Sequence, residues 1–168
     1  MKNKLVVTLV FAFMSSMSSF AVAKNPVDAV NALKAELLKK GAPSMEAGKT
    51  YDIGTYKVPG MKFGKRFVIN KDLTVVDLIK ENKLADVCTV FIKTGDDYIR
   101  ASTNVMDKDG KRCMRTELKR NGPVYPMIKE GLVYSGDADI CGTMYNTYYE
   151  PIKIDGKVEG IYLCGFKK

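Results

Sequence analysis

The run CTVFIKTGDDYIRASTNV, residues 88–105, leaves its chain few options. Two stretches rich in β-branched and aromatic residues flank Thr94-Gly95-Asp96-Asp97, and that pattern predicts a β-hairpin. The second stretch carries a lone cation, Arg100, at its middle. A charge planted in mid-strand either points to solvent or waits for an anion.

The segments on either side set the fold class. After the hairpin come a polar turn, Asp107-Lys108-Asp109-Gly110-Lys111, a segment Arg112–Leu118, and a small helix near Tyr125–Glu130 closed by Gly131. Leu132–Cys141, Thr143–Ile152 and Val158–Gly165 read as strands, the last two joined by a turn at Ile154-Asp155-Gly156-Lys157. Before the hairpin, Asn25 can cap a helix with Pro26 at its first position. Val27, Val30, Leu33, Leu37 and Leu38 follow at helical spacing, and Lys39-Lys40-Gly41 ends it. Gly41–Gly48 reads as a link, Tyr51–Val58 and Lys65–Asn70 as strands. Leu73–Lys83 reads as a second helix in which Thr74 and Asp77 resemble a capping box. Helices first and antiparallel strands after define an α+β domain.

Residues 1–23 belong to targeting. Lys2 and Lys4 open a basic start, Leu5 to Met14 form an apolar run, and Ala21-Val22-Ala23 is a small-residue cleavage site. Ser15, Ser16, Ser18 and Ser19 interrupt the apolar run short of the ~20 residues a membrane span needs. The expectation is a cleaved signal peptide, export to the periplasm, and a single domain over residues 24–168 with no membrane span. Lys2 and Lys4 leave with the leader, so the net charge of +8 falls by two. The remaining lysines are scattered among acids rather than clustered with stacking aromatics, which argues against nucleic acid as a partner.

Four cysteines, Cys88, Cys113, Cys141 and Cys164, form an even set with no CxxC pair, and the chain has no histidine. Haem attachment and the usual zinc sites are poor hypotheses, no metal or other cofactor is expected, and two structural disulfides are. Spacing alone permits three pairings. If the strand starting at Cys88 runs antiparallel to the last strand ending at Cys164, then Cys88–Cys164 is favoured and Cys113–Cys141 remains.

The missing histidine also removes the ordinary Ser/His/Asp and Cys/His systems, and the chain is read as non-catalytic. The carboxylate pairs Asp96-Asp97 and Asp107/Asp109 fall in turns, where Asp braces the bend. Asp137 and Asp139 share one face of a strand. A calcium loop at Asp107-x-Asp109-Gly110 lacks the remaining ligands.

A pocket is the better reading. Period two puts Tyr98, Arg100, Ser102 and Asn104 on one strand face, and Thr143, Tyr145, Thr147 and Tyr149 on another. If both sets line one side of a curved sheet, an Arg fork able to hold a carboxylate faces hydroxyl and aromatic walls. The alternative is a solvated edge Arg100 with half-buried cross-strand tyrosines.

From Cys88 to the end, and more loosely from Gly48, the chain resembles the Cache domains of bacterial chemoreceptors and sensor kinases. The likeness rests on TVFIKTGDDYIRASTNV, then DKDGKR with RTEL, then YSGDADICGTMYNTYYEPIKIDGKVEGIYLCG. It implies a PAS-like antiparallel sheet of five to six strands with a long N-terminal helix along its back. It also implies binding of a small organic anion, often a carboxylate, on the open face. Arg100 stands where carboxylate-sensing relatives keep a basic contact, and Ser102, Tyr145 and Thr147 fall on strands lining that pocket. Arg115 replaces a glycine usual before the Thr and is expected to reshape the mouth. Tyr125 lies on the segment Arg112–Gly131, expected to act as a lid. Only Lys167-Lys168 follow the last strand, so a stand-alone domain is expected, a monomer or homodimer that feeds a membrane receptor or sensor kinase in chemotaxis or signal transduction. The competing reading is an accessory protein that docks on a receptor without a ligand of its own.

Overall fold

Asn25 accepts a hydrogen bond from the Val27 backbone N–H at 3.0 Å and so caps α1, Pro26–Leu38, with Pro26 at its first turn. The computed structural model describes residues 24–168, so the expected signal peptide lies outside the described residues. At 13 residues α1 is of ordinary rather than great length. It ends where the capping and closing residues put it, so the long helix implied by the resemblance is not found. Ala29, Val30, Leu33 and Leu37 are buried, whereas Leu38 is 50% exposed and serves no core.

A three-stranded sheet follows: β1 Pro43–Ile53, β2 Tyr56–Phe63 and β3 Phe67–Val68, in the order β1-β2-β3. Part of the segment read as a link is therefore strand, and its register slips between Glu46 and Thr50 around Gly48. Gly64 turns the chain at a φ of 62°, and a Cβ there would collide with the Lys40 carbonyl at 1.9 Å, so only glycine fits.

The helix α2, Thr74–Glu81, is capped differently from the expected box. Asp72, not Thr74, supplies the accepting oxygen, taking the Thr74 N–H at 2.9 Å and its hydroxyl at 2.7 Å. Asp77 instead forms a two-pronged pair with Arg112, both contacts at 2.8 Å.

The main sheet is fully antiparallel. Its strands are β4 Val87–Thr94, β5 Asp97–Thr103, β6 Tyr134–Ile140, β7 Thr143–Ile154 and β8 Lys157–Lys167, in the order β5-β4-β8-β7-β6. The segment 105–118 folds back on itself through a bridge between Met106 and Arg112 and then runs along the β5 edge, where Glu117 bridges to Ile99, as a partial sixth strand. The architecture is the expected α+β, PAS-like one. A short helix, α3 Val124–Lys129, sits in the connection from that segment to β6.

Two cores flank the sheet. Behind it, α1, α2 and the small sheet pack on Val90, Ile92, Ile99, Ala101 and Ile152. In front, Phe91, Tyr98, Tyr149, Ile161 and Leu163 meet Val124 and Ile128 of α3. Cys88 and Cys164, register partners on β4 and β8, are joined by a disulfide on the back face, and Cys113–Cys141 is the second bond. Among the described residues no helix is long and apolar enough to cross a membrane.

Candidate ligand-binding site

The front face of the sheet carries a cavity of about 600 Å³ whose floor is Arg100 and Tyr149. Its walls are the segment 113–124 on one side and the β6–β7 hairpin on the other. Leu118, Val124, Ala138 and Met144 make much of the lining apolar, and Glu117, Lys119, Asp137 and Asp139 bring charge to it. The volume lies within the range of ordinary small-molecule sites.

Arg100 is 5% exposed and has no carboxylate partner among the described residues. Its Nε donates to Thr116 Oγ1 at 3.1 Å, Nη1 reaches Thr89 Oγ1 at 3.4 Å, and the Phe91 ring lies under the guanidinium at 4.8 Å. The threonines have their own partners. Thr89 Oγ1 and Thr103 Oγ1 share a hydrogen bond of 2.7 Å, Thr103 Oγ1 donates onward to the Cys88 carbonyl, and Thr116 Oγ1 donates to the Cys113 carbonyl. These contacts aim the guanidinium without neutralising it, and leave most of its five N–H bonds free of acceptors among the described residues. Burial pushes its pKa down to about 10, so it stays charged at neutral pH. A desolvated, unpaired charge is costly, and an incoming anion removes that cost.

Tyr149 has no hydrogen-bond partner for its hydroxyl among the described residues, and its ring meets Tyr134 edge to face at 6.0 Å. Burial pushes its pKa up to about 12, so it remains a neutral donor. At the mouth, Lys119 pairs with Asp139 at 2.9 Å and Lys168 with Asp137 at 2.5 Å. The Lys119 hydrogen bond, helped by the Gly142 N–H, holds the Asp139 carboxyl below its ordinary range.

Of the six residues singled out from sequence, Arg100 alone lines this cavity. Ser102 is turned away by a β-bulge. Phe91 faces Arg100 and Val90 faces Ser102, so Ala101 is the extra residue and the alternation flips there. Ser102 Oγ ends on the back face, fully buried and without a partner among the described residues. Thr103 takes the front position instead, while Asn104 accepts the Cys88 N–H and donates to the Val76 carbonyl. Thr147 faces front but is fully buried and donates to the Gly136 carbonyl at 2.7 Å. Tyr145 borders a separate groove with Asn104, Met106 and Phe166.

Tyr125 borders a third hollow beside Lys93 and Lys129, its hydroxyl donating to the Asp96 carbonyl. Arg115 is exposed, lies against Gly54, and does not border the cavity. Its φ of 70° is the left-handed conformation that favours glycine, which accounts for the glycine expected at this place. Thr116 is the contact sequence reasoning left out, while Tyr149 was grouped with the pocket face but not singled out as a ligand residue. Tyr149 shared a face with Tyr145 and Thr147 by alternation, and Thr116 lies in the RTEL motif. The Asp107 loop is a turn brace, its carboxylate accepting from the Asp109 and Lys111 N–H groups at 2.9 Å.

The model of the Cache 3/Cache 2 fusion domain matches residues 13–168, and the chain belongs to that family. Domains of this kind are extracytoplasmic sensors that bind small molecules and are generally non-catalytic, and the two disulfides fit an exported protein. No curated protein matches the chain. Among solved structures, the GAF domain of a phosphoenolpyruvate-protein phosphotransferase from Coxiella burnetii is similar at 15% identity and a TM-score of 0.49, over 86% of this chain and 80% of that one. The GAF domain of A. Aeolicus nlh2 in an inactive state is similar at 12% identity and a TM-score of 0.46, over 85% and 80%.

Proposed function

We propose that the protein is an exported, non-catalytic binding domain that holds a small organic carboxylate against Arg100, its signal peptide removed near Ala23. The observation that carries this reading is a buried guanidinium, without a carboxylate partner among the described residues, at the floor of a cavity of about 600 Å³. The free N–H bonds of Arg100 take the carboxylate, and the Tyr149 hydroxyl supplies a further donor. The apolar walls take the ligand's body. Three carboxylates, Glu117, Asp137 and Asp139, stand in the lining, so a singly charged acid suits it better than a polyanion. The loaded domain then presents itself to a membrane receptor or sensor kinase.

The test is thermal unfolding against a panel of monocarboxylic acids. A member present at about 100 times its Kd adds about 2.7 kcal/mol, a Tm rise on the order of 5–10 °C for a domain of this size. Arg100→Ala, and Arg100→Met, which keeps an apolar stem in the site, both abolish that rise. Equal rises in wild type and both variants remove Arg100 from the site.

A further inference from the structure

The disulfide Cys113–Cys141 occupies a particular place in the topology. β5 and β6 are the two edges of the five-stranded sheet, Cys113 lies on the segment paired to β5, and Cys141 sits in the turn between β6 and β7. The bond therefore joins the two edges across the front face, and both cysteines line the cavity. Leu118 of the wall packs into the front core, and among the described residues the only other polar side-chain tie between residues 113–123 and the β6–β7 hairpin is the Lys119–Asp139 pair. Its members are 63% and 42% exposed, which makes it weak. Beyond residue 123 the wall is held by α3, whose Val124 and Ile128 are buried in the front core. At its other end Arg112 is held by Asp77.

The two disulfides differ in access. Cys88 and Cys164 are fully buried on the back face, whereas Cys113 is 8% exposed, Cys141 is half-buried, and their bond borders open space. Thiol–disulfide exchange requires a thiolate to reach a sulfur in line with the bond, so access selects one bond over the other.

We propose that Cys113–Cys141 is a thiol–disulfide exchange site whose reduction by a dithiol frees the cavity wall 113–123. The attacking thiolate forms a bond to the sulfur of Cys141, the more exposed residue, and expels Cys113 as a thiolate, which takes up a proton. The second thiol of the dithiol then attacks its own sulfur in the mixed disulfide and expels Cys141. One disulfide is reduced, one dithiol is oxidised, and two electrons pass. The wall keeps its backbone bonds to β5, Arg100 N–H to Thr116 O and Leu118 N–H to Tyr98 O, but loses its covalent hold on the far edge. The site thus couples the redox state of the compartment to the closure of the cavity, whatever the cavity binds.

The experiment treats the folded, oxidised protein with rising dithiothreitol, traps thiols with iodoacetamide, and reads the labelled residues by mass spectrometry. Backbone hydrogen exchange is followed in parallel. The expected result is labelling of Cys113 and Cys141 while Cys88 and Cys164 stay blocked. Amide exchange over residues 114–123 then rises about tenfold or more, and β4 and β8 do not change. The double variant Cys113→Ser/Cys141→Ser, untreated, shows the same local rise. Opening of Cys88–Cys164 at the same or lower reductant overturns the proposal, and so does unchanged exchange over 114–123 once Cys113 and Cys141 are labelled. Neither readout needs a ligand, so failure here is separate from failure of the carboxylate reading.

Discussion

Arg100 and Ser102 stand two apart on one strand, and the structure separates them by the thickness of the sheet. Alternation gave the face of Arg100 but left open whether that face is solvated, and the face holds because β4 and β5 pair in simple register from Thr94–Asp97 back to Phe91–Arg100. It failed at Ala101, since a bulge adds a residue without leaving a glycine or proline to mark it. The consequence for Ser102 is a hydroxyl sealed in the apolar back core with no acceptor or donor among the described residues. Such a group costs stability that an apolar replacement of similar size recovers. Ser102→Ala is therefore expected to be neutral or to stabilise the protein by up to ~1 kcal/mol in chemical denaturation, and to leave carboxylate-dependent Tm shifts unchanged. A loss of stability beyond that, or a loss of binding, contradicts the assignment of this side chain to the back face.

Among the elements, the ones fixed by local chemistry were legible and the ones fixed by partners were not. Asn25-Pro26 and Lys39-Lys40-Gly41 state both ends of α1, and Thr94-Gly95-Asp96-Asp97 states its turn. β1 begins at Pro43, inside a Gly/Pro-bearing stretch that looks like a link, because its pairing with β2 decides it and no residue in it has a strong strand preference. The separation of Tyr125 and Tyr145 from the Arg100 cavity has the same origin. Sequence shows which face a residue takes, while the crossing of segment 113–124 over the sheet decides which hollow that face opens into. The Cys88–Cys164 pairing was legible because it needs only that β4 and β8 run antiparallel. It closes a loop with a sequence separation of 76, so its removal in a Cys88→Ala/Cys164→Ala variant is expected to cost about 4 kcal/mol in denaturant titrations. A cost under ~1 kcal/mol contradicts a role for this bond in holding the two central strands.

For the molecule as a whole, the absence of histidine shapes its response to pH. Glu46, Asp52, Asp97 and Asp139 have carboxyls held below their usual range, first by hydrogen bonds from Tyr51, Lys57, Arg120 and Lys119 respectively. Groups with lowered acid pKa values lend stability that is present above their unfolded values and lost as pH falls through the folded ones. At the other end, burial raises Tyr149 to about 12 and Tyr162 further. Their contribution is full below the unfolded value near 10 and is lost as pH rises above it. Arg100 works the opposite way. Its cost is complete below about 10 and is relieved as pH climbs past that point, which offsets one tyrosine. Nothing shifted titrates between, so Tm is expected to be flat from about pH 5.5 to 9, with Tyr149→Phe softening the alkaline fall. A step near pH 6.5 in a thermal scan contradicts this. Carboxylate affinity is expected to be flat over the same range and to weaken only near the ligand's own pKa, about 4 to 5.

The central claim is a charge-to-charge contact at one side chain, and the Arg100 Nε–H resonance reports it most directly. In two-dimensional ¹H–¹⁵N spectra, with the signal assigned by its loss in Arg100→Met, titration of the carboxylate that gives the largest Tm rise is expected to move that peak saturably at the same Kd. A peak that stays fixed while the ligand stabilises the protein, or that moves linearly without saturation, contradicts the account.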